Sequence, residues 1–349
     1  MLAKIRISAV VAAVLCTASC HVLAKEKYNI VTASENGTYI EFGRDLAKYV
    51  AEPADIELKA LTSNGSIENI RRMRYEAGTR LALVQSDVYQ AFKDQAAAGH
   101  AEAMNLVSPL RVIAPLYDEE IYFIVRADSP LKSIQDIRGT RINIGPGGSG
   151  SAMTATTLYK LMFDVPMPEA NVTTFQNEEA LVKMAKDKTV DVVVIVAGQP
   201  AALFSRAEPG VEKFFKLLPL DESDPVSARA MTAYPKATIK AVNHPNWLAS
   251  DITGLSVKTL LVTYDYNLKQ TRDSLVKLTK SLCDNLPLLQ KEGHPKWKQV
   301  SLQLPPLSKG LTYYPPTEHA LKGCRYLKPK WEATCGLREK VMGLCTGDQ

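Results

Sequence analysis

Absences narrow the class of this 349-residue chain first. A membrane-crossing helix needs about 18 to 20 apolar residues, and the two most apolar stretches, residues 7–16 and 192–197, fall far short of that. An excess of charge of one sign is also missing. The 42 basic and 37 acidic residues leave +5 scattered along the chain, which is not the footprint of a nucleic-acid binder, and none is expected as a partner. Low-complexity tracts and repeats at solenoid periods are lacking. The chain contains neither a G-x-S-x-G elbow nor a G-x-x-x-x-G-K-[ST] loop, so no α/β-hydrolase nucleophile or nucleoside-triphosphate cradle is encoded. Histidines are few: His21, His100, His244, His294 and His319, all outside the strand-end loops described below. Nothing assembles an acid, a base and a nucleophile. The chain reads as a non-enzyme with no catalytic residue, metal site or cofactor.

What is present is an ordinary globular composition, 46% hydrophobic and 23% charged, with length for about two domains. Lys4 and Arg6, the apolar run 7–16 and the modest side chains of Val22, Leu23 and Ala24 read as a cleavable secretory signal over residues 1–24, with a periplasmic destination. Thr17-Ala18-Ser19-Cys20 is the weaker lipoprotein alternative, because Thr stands where a lipobox usually has Leu. Cys16 and Cys20 would leave with the signal; Cys283, Cys324, Cys335 and Cys345 would remain. The last three are spaced too widely for a C-x2-4-C zinc knuckle, so two disulfides are favoured over zinc, with three pairings open.

From Tyr28 onward, β-branched runs alternate with helical patterns. Residues 28–33, 56–61 and 81–85 read as strands, and 39–50 as an amphipathic helix with Tyr39, Phe42, Leu46 and Val50 on one face. That is the βαβ alternation of a parallel sheet. Two strand-like segments, 111–116 and 121–126, then follow each other with no helix between, and the alternation restarts: strand 141–145, helix from Gly150, strand 172–175, helix from Glu178, strand 190–196. A strand-rich region over 253–265 precedes a long helix over 269–290. The expected division is lobe 1 over 25–116 and 236–292, lobe 2 over 117–235, and a Pro- and Cys-rich extension over 293–349 packed on lobe 1. Pro295, Pro305, Pro306, Pro315 and Pro316 make that extension read as an extended wrap without regular helices.

Loops after parallel strands gather at one sheet edge, where ligands bind. Here they are Ser34 to Tyr39, Thr62 to Ser66, Gln85 to Asp87, Gly145 to Ser151 and Gly198 to Pro200, each small, polar and placed where a helix begins. Exposed amides at a helix start, with Ser or Thr hydroxyls, receive carboxylate or phosphate. Any one such Ser is more commonly a cap; five loops at one edge weigh against capping alone. Gly145, Gly147 and Gly150 satisfy G-x-G-x-x-G, but the acidic residue expected at the end of the next strand is replaced by Phe175-Gln176-Asn177, so a dinucleotide site is not favoured. Asp118, Glu119 and Glu120, at the crossover, offer a carboxylate pair or a metal-ligand set, but such a triplet is more often a solvated acidic loop, and that reading is favoured.

Taken together, Gly37-Thr38-Tyr39, Thr62-x-x-Gly65-Ser66-Ile67-Glu68-Asn69, Val84-Gln85-Ser86-Asp87, Arg138 to Gly145 running into Gly148-Ser149-Gly150-Ser151, and Gly198-Gln199-Pro200 resemble the TAXI group of extracytoplasmic solute receptors, which serve TRAP transporters. The resemblance runs from about Tyr28 to Gln290. It implies an α/β fold like that of type II periplasmic binding proteins: two lobes, a ligand cleft between them, and crossover hinge strands. It also implies a monomer that takes a small-molecule anion, glutamate-like or dicarboxylate, and an integral-membrane permease as partner. Carried over by position, Thr38, Tyr39, Thr62, Asn64, Gly65, Ser66, Gln85 and Ser86 should line one wall, and Ser149, Gly150, Ser151, Gly198, Gln199, Pro200 and Tyr234 the other. Ser151 stands where the group usually has threonine, and the extension after Gly293 is longer than the group's core, leaving a sensor or an ABC-type permease as alternative partners; a secreted enzyme acting on a small acid is the remaining, less favoured class.

Overall fold

The computed structural model describes residues 25–324. The expected signal, Cys20, Cys335 and Cys345 lie outside the described residues. Among those described, no helix is long and apolar enough to cross a membrane.

The first half opens with β1 (Glu26–Val31), α1 (Thr38–Asp45), β2 (Ile56–Leu61), α2 (Ser66–Tyr75), β3 (Thr79–Gln85), α3 (Ser86–Ala97) and α4 (Ala101–Val107). A 17-residue strand, β4 (Leu110–Arg126), then leads into β5 (Ile142–Asn143), α5 (Gly150–Phe163), β6 (Val172–Thr173), α6 (Asn177–Lys186), β7 (Val192–Ala197) and α7 (Ala202–Ser205). After these come β8 (Phe215–Leu217), α8 (Pro225–Met231), β9 (Lys236–Ile239), β10 (Ile252–Tyr264), α9 (Lys269–Glu292) and α10 (Pro315–Lys322). The strands join in the order β2-β1-β3-β10-β4-β7-β5-β6, with β8 on β4 and β9 on β10.

Period-two alternation decides which core each strand feeds. In lobe 1, Ile30, Leu81 and Leu83 face α1 and α9, whereas Val31, Ala82 and Val84 face α2, α3 and α4. Lobe 2 repeats the scheme, with Val192 and Val194 on one side of the sheet and Val193 and Ile195 on the other. Both faces are covered, which is why these strands read as unbroken apolar runs. β1, β2 and β3 are parallel, as are β5, β6 and β7.

Two long antiparallel strands, β4 and β10, belong to both lobes and form the crossovers. Leu110 to Ala114 of β4 and Leu260 to Tyr264 of β10 pack in lobe 1; Ile121 to Val125 and Leu255 to Val257 pack in lobe 2. The β4–β10 ladder slips register between Lys258 and Leu260, where the sheet passes from one core to the other.

Three sequence readings differ from the structure. The two segments at 111–116 and 121–126 are one strand, and the Asp118-Glu119-Glu120 triplet lies inside it rather than in a solvated loop: Glu119 and Glu120 are each 3% exposed. Their partners, Thr259, Gln199 and Lys296, are supplied from far along the chain. The second crossover falls near Lys258 rather than at residue 235, because Ile239, Trp247 and Ile252 pack with Tyr122 and Phe204 of lobe 2. Finally, the proline-rich tail does hold helices. Pro295 and Pro315 sit in the first turns of a 3-10 segment (Pro295–Gln299) and of α10, where a missing N–H costs nothing. Trp297, Val300, Leu302, Tyr314 and Leu321 of the tail join the lobe 1 core, and a Cys283–Cys324 disulfide ties its end to α9.

Candidate ligand cleft

A cavity of about 80 Å3 lies between the lobes. Its lobe 1 wall is made by the turns before α1, α2 and α3, and its lobe 2 wall by the turns before α5 and α6, the end of β7, and α7. Of the residues the sequence points to, Thr38, Tyr39, Asn64, Gly65, Ser66, Gln85, Ser149, Gly150 and Ser151 line it.

The lobe 2 wall centres on the start of α5. Ser149 caps this 14-residue helix, its Oγ accepting from the N–H of Ala152 at 3.0 Å. Ser151 Oγ accepts from the N–H of Val196 at 3.1 Å. Each hydroxyl thus spends a lone pair on the backbone and keeps its proton to donate. With the first-turn amides and the positive end of the helix dipole, the two serines form the kind of donor set that an anion requires. Among the described residues, no lysine or arginine lines the cavity.

Two glycines face each other across the seam. Gly65, at φ 120° just before α2, needs a conformation that side-chain-bearing residues rarely adopt. A Cβ there would stand 3.3 Å from the Gly150 nitrogen, and a Cβ on Gly150 would overlap the Gln85 amide oxygen. Behind them Ser66 holds Gln85 in place, accepting from its backbone N–H at 3.0 Å.

The lobes touch directly and the cleft is closed. Thr38 Oγ1 donates to the Gly198 carbonyl at 2.7 Å, the Glu68 N–H to the Gly148 carbonyl at 3.1 Å, and Asn36 Nδ2 to Glu178 at 3.1 Å. At one flank Asp87 Oδ2 accepts from Thr154 at 2.6 Å and from Tyr234 at 2.9 Å. Burial raises the Asp87 carboxyl above the usual carboxylate range, against the lowering effect of those hydrogen bonds.

The floor carries Glu119, which the sequence reading set aside. Thr259 Oγ1 donates to its Oε2 at 3.1 Å. Burial pushes this carboxyl up to about 8, assisted by neighbouring Glu120 and Asp87. Tyr39, 4% exposed, lies close enough beside it to lower that carboxyl somewhat; its hydroxyl and that of Tyr117 are buried with no well-formed hydrogen bond among the described residues. Asn177 Oδ1, in the opposite wall, is a third unpartnered polar atom.

Six expected residues do not line the cavity. Thr62 is exposed and turns its carbonyl to Arg72; Ser86 only opens α3. Gly198 is closed over by Tyr117, Thr38 and Lys296. Gln199 is consumed on Glu120, Thr238, Lys240 and Asn243, Pro200 offers its carbonyl to His294, and Tyr234 is spent on Asp87. Conversely, the sequence reading passed over Glu119, the 176–178 turn, and the apolar patch of Ile195, Leu203 and Phe204.

Two α/β lobes joined by paired crossover strands around a closed cleft define a protein with the periplasmic binding-protein fold. The family model described as NMT1-like matches residues 30–315, and the chain belongs to the NMT1-like family. Among solved structures it is similar to the periplasmic binding protein BugD, at 14% identity over 85% of this chain and 93% of that one, with a TM-score of 0.50. It is also similar to the arginine-, lysine-, histidine-binding protein ArtJ from Geobacillus stearothermophilus (12% identity, 80% and 96% covered, TM-score 0.45) and to the periplasmic sulfonate-binding protein SsuA from Methylobacillus flagellatus (10%, 77% and 70%, 0.44).

Proposed function

We propose that the chain is an exported solute receptor that captures a small carboxylate, of amino-acid or dicarboxylate type, by closing its lobes, and delivers it to a membrane permease. The observation that carries this is the pairing of unlike walls. Lobe 2 offers Ser149, Ser151 and the amides of α5, while lobe 1 offers Tyr39, Gln85 and Asn64. A ligand spanning them stabilises the closed form only through contacts made in that form, and closure is what a membrane partner can read. The NMT1-like membership and the fold support a binding rather than a catalytic role. The resemblance of the loops to the TAXI group points to a TRAP-type permease, and the apolar N-terminal run with Val22-Leu23-Ala24 to periplasmic delivery.

Native mass spectrometry of the protein purified from the periplasm tests this: a retained small acid is expected. Gly150→Val should abolish retention with little change in the unfolding midpoint, because the added side chain collides with Gln85 and Ser66 across the seam, a clash that parting of the lobes relieves. Retained affinity in that variant would remove the anion receptor from the start of α5.

A further inference from the structure

The anion receptor accounts for one end of the cavity only. At the other end the lining brings a buried carboxyl and a phenol together and supplies no cation. Such a floor is a poor neighbour for a second negative charge: a dianion bound at α5 would face Glu119 below and Glu178 at the rim. We infer that Glu119 and Tyr39 form an ammonium subsite, so that the cleft selects a carboxylate bearing an amine over the same acid without one; this rests on the receptor reading above.

The hydrogen-bond inventory supports the assignment. Thr259 occupies one Glu119 oxygen, leaving Oε1 to accept. The unpartnered Tyr39 hydroxyl can accept a second N–H. An ammonium group brings three donors and no acceptor, the complement of that set. A second carboxylate brings only acceptors: the Tyr39 hydroxyl can donate to it, but Glu119 must then keep its proton and hold two carboxyl groups in contact, away from any counter-charge.

The groups facing Glu119 are Tyr39 from α1, Asp87 from α3, Tyr117, Glu120 and Tyr122 from β4, and Thr259 from β10, all neutral or anionic. Lys296 is spent on Glu120, the Asp118 carbonyl and Gln299. A ligand cation would therefore be the first positive charge that Glu119 meets, and an opposite charge within hydrogen-bond reach favours the ionised carboxyl. The apolar patch of Ile195, Leu203 and Phe204 lines the same cavity and would take an aliphatic remainder.

Isothermal titration of the purified full-length exported protein against matched pairs, L-leucine with 4-methyl-2-oxopentanoate and L-glutamate with 2-oxoglutarate, tests the subsite. The amino acid of at least one pair should bind about 10- to 100-fold more tightly than its oxo acid, the range expected for hydrogen bonds to a charged group. Glu119→Gln should erase most of that preference while leaving the oxo acid's affinity intact. Tyr39→Phe, which keeps the ring, should lower it by a smaller factor. Equal affinity within every pair, or an undiminished preference in Glu119→Gln, overturns the subsite and leaves the receptor reading standing. Failure of all four acids to bind also overturns it, and the receptor reading then stands or falls on the mass of the solute retained in native spectrometry.

Discussion

The seam between the lobes has two sides built on opposite principles. At the mouth, contacts such as Asn36 to Glu178 and Gln176 to Asn64 are single hydrogen bonds between exposed side chains. At the back, Lys296 and Glu120 form an ion pair with side chains 1% and 4% exposed, Lys296 Nζ also reaching the Asp118 carbonyl at 2.7 Å and Glu120 also accepting from Gln199. His294 adds a bond from the same tail segment to the Pro200 carbonyl, while Asp45 of α1 accepts from the His294 N–H and the Trp297 indole. Water can replace the mouth contacts at little loss; nothing replaces the buried pair. A molecule that opens must be soft on one side and hard on the other, and this one divides the two roles by burial.

Three experiments test that contrast. The largest effect is expected for Lys296→Met, which strands Glu120 without its cation and should lower unfolding stability by about 3 to 5 kcal/mol in urea titration. The double variant with Glu120→Leu should recover most of it, whereas a loss below about 1 kcal/mol would put the back of the seam on a par with the mouth.

Next comes pH. The folded carboxyl of Glu119 sits near 8, above its ordinary value of 4.5, so between those values the folded protein holds a proton that the unfolded chain has released. The stability that this group contributes is therefore fully present below pH 4.5 and is lost as pH rises toward 8, by up to about 1.4 kcal/mol per unit. Glu120 and Asp87 are shifted the same way, so Glu119→Gln should flatten the decline without removing it. An unchanged slope in thermal melts from pH 5 to 8 would show that Glu119 is not protonated in the fold.

The smallest effect is expected at the flank of the mouth. Asp87→Asn keeps the shape but weakens the bonds from Thr154 and Tyr234, shifting the open–closed balance by about 1 kcal/mol. Small-angle scattering of the ligand-free variant should report a larger radius of gyration, and an identical one would place the closing contacts elsewhere.

How much of this could be read from sequence depended on range. The loops before α1, α2, α3 and α5 are local patterns, an apolar run followed by small polar residues and then a helical period, and nine of the residues they suggested share one cavity. Direction was invisible. Gln199 has the chemistry of a ligand contact, but a carboxylate 79 residues away and the turn after β9 take all its bonds. Glu119 failed in the opposite sense: three consecutive acids resemble a solvated loop until Thr259, 140 residues on, and the ladders of β7 and β10 enclose them. The second crossover was misplaced for the same reason, since the short strand β9 gains its identity only from pairing with β10.

The Cys283–Cys324 bond closes a 41-residue stretch that contains the whole Lys296 and His294 segment. In a chain whose thiols are kept reduced, that stretch is a strap with one end unfastened, and the wedge behind the lobes is held by noncovalent packing alone. Oxidation buckles it. The segment that brings Lys296 to its buried pair with Glu120 is thereby pinned covalently to α9, and the ion pair does not have to hold it in place alone.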